Sequence, residues 1–283
     1  MSTQQPDDQH ADPQVLVSPV YLAGRGNPAE ISNALYAHRD WGWTSTDTGQ
    51  IFVSPRHDVH VAYLPESRYG GWKITQYSEP LGMPLWSAAF SRNTPTEITS
   101  AFTHALVECL TSDHPHPWRS GPHDQVTLPA DVLTEHGWRN TDTPRDVCQF
   151  SPDGHAYLSR RVFDIDEYAE LEGEGRALWS MYACVNTVNG ERWHADFTNR
   201  TPLYLVTETA RALGSTEPVE RPRSGIPERN LPYVTTSPVP EQTPDRRRSA
   251  ALARTRHAHP TVPAPPTGTA ACGPTSPTPF RHR

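Results

Sequence analysis

Trp86-Ser-Ala-Ala-Phe90-Ser-Arg-Asn-Thr94-Pro95 returns 107 residues later as Trp193-His-Ala-Asp-Phe197-Thr-Asn-Arg-Thr201-Pro202. The match continues to Ala105-Leu106 and Ala212-Leu213. Seven positions between 86 and 106 are identical to their counterparts, where composition alone predicts roughly one. Trp72 and Trp179 share the offset. Upstream, Gly42-Trp43 matches Gly137-Trp138, Ser54-Pro55 matches Ser151-Pro152, and Ala62-Tyr63-Leu64 matches Ala156-Tyr157-Leu158. These offsets are 95, 97 and 94. The rise to 107 implies an insertion of about 13 residues in the second copy, around Phe163 to Gly175. The chain therefore contains two copies of one module, over 15–110 and 120–214.

Local signals predict the content of each copy. Asn27-Pro28 suits a helix start, with Ile31, Leu35 and Tyr36 as its apolar face. Gln50–Ser54, Val59–Leu64, Lys73–Tyr77 and Leu85–Phe90 read as strands, rich in Val, Ile, Tyr, Trp and Phe. Thr94-Pro95-Thr96-Glu97 has the pattern of a capping box. The helix it opens carries Ile98, Phe102, Ala105, Leu106 and Cys109 on one side. Copy two repeats the plan from Pro129, and its last helix runs from Pro202 to Leu213 with Gly214 as cap. The expected fold is α+β: two tandem repeats, each a short antiparallel sheet flanked by helices, plus a disordered C-terminal tail.

Composition sets the limits around this body. In 283 residues no apolar run approaches the ~20 needed to span a bilayer, so no membrane role is expected. Four cysteines without a C-x-x-C pair do not form a disulfide scaffold and fit a reducing cytoplasm. Residues 1–14 are polar and acidic and read as a disordered lead without a signal peptide. Residues 215–283 hold 14 of the 30 prolines and only two aromatics, Tyr233 and Phe280. That stretch reads as a disordered tail. Ile226, Leu231 and Tyr233 could lay its first part, to about Ser237, along the body. The net charge of −7 divides into −12 for 1–214 and +5 for the tail. Lys73 is the sole lysine among 25 basic residues.

Few residues announce chemistry. The repeated tryptophans read as core, since each aromatic buries about 150–250 Å². His57-Arg-Asp-His60 and His114-Pro-His116 lack metal-ligand spacing. No G-x-S-x-G, Walker or dinucleotide fingerprint occurs, so no catalytic residue, metal or cofactor is assigned. The carboxylates of 164–174 lie in the insertion and read as a solvated loop. The binding candidates are His60, Tyr63, Asp153, His155 and Tyr157, with the groove between the copies as the expected ligand site. Arg246, Arg247, Arg248, Arg254 and Arg256 could grip phosphate. The residues point to a non-enzymatic binding or adaptor protein with a protein partner. The alternatives are a nucleic-acid-associated factor acting through the tail, or an enzyme whose motifs are not recognisable.

Tyr21-Leu-Ala-Gly24, Gly42-Trp43, Ser54-Pro55, Ser151-Pro152-Asp153, the Trp-x-Ala-x-Phe stretches and the Thr-Pro helix starts resemble the DUF317, or SPDY, domain. That family, of Streptomyces and related actinobacteria, often carries two tandem copies. Gly154 stands where the motif has Tyr, and copy one departs further with Arg56-His57 after Ser-Pro. The resemblance covers about 15–214. It implies a bacterial cytoplasmic protein and supplies no activity, ligand or catalytic residue.

Overall fold

The computed structural model describes residues 12–66, 70–123, 125–163, 165–186 and 192–240. The expected lead up to residue 11 and the arginines Arg246, Arg247, Arg248, Arg254 and Arg256 lie outside the described residues.

The chain is α+β, with antiparallel sheets and helices. After β1 (Gln14–Ser18) and helix α1 (Ala29–Tyr36) come β2 (Gly42–Thr46), β3 (Gly49–Val53), β4 (Val59–Tyr63), β5 (Trp72–Tyr77) and β6 (Pro84–Phe90). Helix α2 (Thr96–Thr111) follows, then α3 (Pro117–Ser120) and α4 (Pro129–Glu135). Next come β7 (Arg139–Asp142), β8 (Asp146–Phe150), β9 (Ala156–Arg161), α5 (Glu167–Glu172), β10 (Trp179–Cys184), β11 (Arg192–Phe197) and α6 (Leu203–Gly214). The described chain ends with β12 (Val219–Pro222), two short 3-10 turns and β13 (Thr235–Pro238).

Two short sheets were expected, and one large sheet is observed. Ten strands run in the order β2-β3-β4-β5-β6-β11-β10-β9-β8-β7. The junction is the antiparallel pair β6–β11, in which Ala88 meets Phe197, Ala89 meets Asp196 and Phe90 meets Ala195. At the offset of 107 these pairs interchange, and Ala89 and Asp196 are each other's counterpart. An interface of this kind is isologous: one patch pairs with its own copy. Strand edges that would be exposed in a single module are satisfied by the other.

Side chains repeat the exchange. Ser91 N–H donates to the carbonyl of His194 at 2.9 Å, and Thr198 N–H donates to the carbonyl of Ser87 at 3.0 Å. The hydroxyls of Thr94 and Thr201 donate to the same two carbonyls. Ser91 Oγ in turn accepts from His194 N–H, and Thr198 Oγ1 from Ser87 N–H. Thr94 therefore does not cap α2 as the capping-box pattern predicted; no side chain caps that helix. Glu97 is drawn away too: both its oxygens accept from the buried guanidinium of Arg221.

Helices α2 and α6 cover one face of the sheet. Ile98, Phe102, Ala105, Leu106 and Cys109 are buried there, as expected for an amphipathic helix. The sheet contributes Trp72, Ile74, Trp86, Ala88, Phe90, Trp193, Ala195 and Phe197 to the same core.

The outer strands correct the repeat alignment. Trp43 pairs with Phe52, and Asn140 with Gln149, so the common offset through β2–β4 and β7–β9 is 97. Trp138 therefore corresponds to Trp41, and both are buried. Trp43 is 59% exposed and is not core. It lies on the edge strand β2, whose five residues are all exposed. No apolar alternation marked that strand in the sequence, which is why four strands per copy were expected instead of five. Likewise Tyr157 corresponds to His60, and Tyr63 to Arg160.

The tail boundary at 215 also moves. β12 and β13 flank β1 in a three-stranded antiparallel sheet. Ile226 is buried, and Asn230 Nδ2 donates to the Leu22 carbonyl at 2.8 Å. A proline-rich stretch with few apolar residues needs only a few anchors when a strand edge is ready to receive it.

Candidate functional site

The sheet face away from α2 and α6 is lined by polar and aromatic side chains. Along β4, Val59 and Val61 point to the core, so His60 and Ala62 point outward. The same alternation turns Lys73, Thr75 and Tyr77 outward on β5, and Ser180, Tyr182, His194 and Asp196 on β10 and β11. Three cross-strand pairings align Lys73, Ala89, Asp196 and Ser180 in one row.

In copy two this face carries an aromatic run. Tyr157 stacks on Tyr182 with ring centroids 5.3 Å apart and tilts against Phe150 at 5.9 Å. Burial, and then the nearby Asp196 carboxylate, hold the Tyr157 hydroxyl above its ordinary titration range. Asp196 Oδ1 accepts from Ser180 Oγ at 2.6 Å, and its other oxygen lies 4.0 Å from His194 Nε2. The carboxylate itself accepts the hydrogen bond of the serine hydroxyl. This is not the relay in which an imidazole activates a serine.

In copy one the same face holds a cleft of about 280 Å³, lined by Ile51, His60, Lys73, Thr75, Tyr77 and Leu171 among others. His60 packs on Tyr77 at 4.9 Å. Burial, and then His57, lower its pKa and favour the neutral imidazole. Leu171 belongs to α5, inside the insertion unique to copy two. Asp166 starts that helix by accepting from the N–H groups of Tyr168 and Ala169. Glu170 Oε2 accepts from Asn199 N–H at 2.8 Å, and Glu167 Oε1 from Asn199 Nδ2 at 3.0 Å. Burial of Glu170 raises its pKa. Residues 166–172, within the stretch read as a solvated acidic loop, are a held wall.

The five sequence candidates do not converge. His60 and Tyr157 share the open face at corresponding positions, with four strands between them, roughly 24 Å at 4.8 Å per strand. Tyr63 faces the other way. It lies on Trp72 at 4.9 Å, takes a hydrogen bond from Arg25, and borders a separate 470 Å³ pocket between α1 and the β2–β3 turn. Asp153 and His155 sit in the β8–β9 turn. Asp153 accepts from Ser151 Oγ and His155 N–H. Burial, then the Asp153 charge, raise the pKa of Tyr21 beside it. The His155 ring meets Tyr233 edge-on at 4.5 Å. These contacts tie the turn to both ends of the described chain. The groove expected between the copies is taken up by the β6–β11 ladder. Sequence reasoning passed over Lys73 as a site, although its singularity was the available signal.

The Ser-Pro turns are built alike. Ser54 Oγ accepts from Val59 N–H at 3.0 Å and donates to Asp58 at 2.9 Å. Ser151 Oγ accepts from Ala156 N–H at 2.9 Å and donates to Asp153. His57 and Gly154, at matching places, both take the left-handed conformation, with φ of 59° and 76°. Ser54→Ala and Ser151→Ala are each expected to cost about 1–3 kcal/mol by urea denaturation. Equal losses would show that the motif is an architectural turn in both copies.

A comparison with protein families decides what these turns and strands belong to. The family model described as SPDY, a domain of unknown function (DUF317), matches residues 53–109 and 150–219. The two matched segments fall one in each copy, consistent with two copies of the SPDY domain. Each matched segment begins at the Ser-Pro turn and runs past the Trp-x-Ala-x-Phe strand into the following helix. The matched segments hold β4–β6 and β9–β11, the six middle strands of the sheet whose open face is described above. Comparisons with curated proteins and with solved structures found no match. No helix among the described residues is long and apolar enough to cross a membrane.

Proposed function

We propose that this tandem SPDY chain is a non-enzymatic binding protein built as one pseudo-symmetric body from two sheet-and-helix repeats. It presents the open face of the ten-stranded sheet to a partner protein. One observation carries the reading: the two faces of the repeat have diverged differently. At four helix-covered positions of β5 and β6 the copies keep the same residue, Trp72/Trp179, Trp86/Trp193, Ala88/Ala195 and Phe90/Phe197, and at Val61/Leu158 and Ile74/Met181 they exchange one apolar residue for another. On the open face they differ at His60/Tyr157, Lys73/Ser180, Thr75/Tyr182, Ser87/His194 and Ala89/Asp196. In copy two the change produces the aromatic run Phe150, Tyr157 and Tyr182. Aromatic residues are enriched at protein interfaces, and divergence between the copies supports a target without two-fold symmetry.

Full-length protein and the variants Phe150→Arg and Tyr182→Arg, immobilised and exposed to lysate of the source organism with and without nuclease, test this. The expected result is a nuclease-resistant protein whose retention falls at least tenfold in both variants, with melting temperatures within a few degrees of wild type. Retention unchanged by the variants would remove the open face from the reading. Retention abolished by nuclease would favour the alternative that rests on Arg246, Arg247, Arg248, Arg254 and Arg256.

A further inference from the structure

Lys73 is the sole lysine of a chain that otherwise uses arginine for its basic side chains. It stands exposed on β5 in the copy-one cleft. Among the described residues no carboxylate pairs with it. Its cross-strand neighbours are Ala62 and Ala89, and the nearest acid along that row, Asp196, is engaged by Ser180 Oγ. An unpaired ammonium beside His60 and the hydroxyls of Thr75, Tyr77 and Ser87 is a site for negative charge. Ile51, Ala62, Pro84 and Leu171 supply apolar walls. At about 280 Å³ the cleft lies at the small end of ligand pockets.

We propose that this cleft binds a small monocarboxylate, with its carboxylate on Lys73 Nζ and its apolar part against Leu171. One compact ammonium balances one negative charge. A phosphate monoester carries nearly two charges and is matched by the arginine fork or by free backbone N–H groups. Arginine is plentiful in this chain, yet none lines the cleft, and the strand N–H groups beneath it are committed to the sheet ladder. The wall explains the insertion: α5, present only in copy two, reaches across the midline to enclose the cleft of copy one. This site is separate from the aromatic run and stands or falls without it.

The lone lysine also makes the test selective. Reductive methylation of the full chain with ¹³C-formaldehyde labels Lys73 Nζ and the N-terminal amine, giving two signals. Titration with sodium hexanoate is expected to shift the Lys73 signal saturably, in the millimolar range or tighter. The N-terminal signal should stay put. Hexylammonium chloride should produce no shift. Leu171→Asp, at a half-buried position of α5, is expected to weaken the response at least tenfold with the melting temperature little changed. A linear, non-saturating response to hexanoate would overturn the proposal. So would an undiminished response in Leu171→Asp, which would mean simple ion pairing in solvent. Saturation by inorganic phosphate at lower concentration than hexanoate would overturn the carboxylate assignment.

Discussion

Arg221→Ala is expected to lower the unfolding free energy by about 3 kcal/mol, the low end of the cost of stranding one member of a buried ion pair, because the Glu97 side chain keeps 30% of its surface exposed. Arg221 is 4% exposed although it belongs to a four-residue strand in the proline-rich C-terminal region. Its guanidinium donates to both oxygens of Glu97, at 2.8 and 2.6 Å, and to the carbonyls of Glu220 and Gly24. The pair ties β12 to the start of α2 across 124 residues of chain. The fork geometry is required as well as the charge. A Cβ at Gly26 would lie 2.9 Å from the guanidinium carbon, so the backbone is moulded to that group. Arg221→Lys should therefore recover less than half of the loss, because an ammonium cannot span both carboxylate oxygens. Arg221→Leu combined with Glu97→Leu should be more stable than either single variant, since no charge is then left unpaired. Urea titration followed by tryptophan fluorescence measures the wild type and all five variants. A loss below 1 kcal/mol in Arg221→Ala would mean that the ion pair adds little and the strand is dispensable.

Phe102→Ala is expected to cost a comparable 3–5 kcal/mol and to do so in a single transition. Phe102 stacks on Phe197 at 5.7 Å and meets Phe90 edge-on at 5.4 Å, while Phe90 and Phe197 meet each other at 5.6 Å. Phe90 and Phe197 are counterparts in the two copies, so the cluster lies astride the β6–β11 junction. The position matching Phe102 in α6 is Thr209, fully buried, whose hydroxyl returns to the Leu205 carbonyl at 2.7 Å. Thr209→Ala, which removes only that local bond, should cost about 1 kcal/mol. If the copies form one cooperative unit, Phe102→Ala shifts every probe of unfolding together. Two separated transitions would show that each copy is stable alone and that the shared sheet is a docking of independent parts.

Much of this was readable in the chain. The Trp-x-Ala-x-Phe and Thr-Pro matches announced the duplication because their constraints are local. Large aromatics must be buried, small residues must sit between packed layers, and proline must start a helix. The apolar spacing of α2 was plain for the same reason. Signals failed where the deciding partner is distant. Edge strand β2 has no buried face and so no alternation. The Ala-Tyr-Leu match drew Tyr63 and Tyr157 together, yet hydrogen-bond register places Tyr157 with His60 and turns Tyr63 to the opposite face. A shift of three residues reverses the side of the sheet. Arg221 looked like tail charge until Glu97, 124 positions away, gave it a partner.

The sequence by itself determined that two copies of an α+β module exist, where most of their strands and their main helices fall, and which apolar residues form most of the core. These follow from short-range periodicity and from burial, which any neighbouring apolar surface satisfies. Only the tertiary structure decided that the copies share one sheet, that residues 215–239 belong to the body, and that the insertion of copy two walls a cleft containing Lys73. Those outcomes depend on which particular groups meet across more than a hundred residues. Local spacing carries no record of such meetings, because hydrogen-bond register, ion pairing and face selection are settled only when both partners are in place.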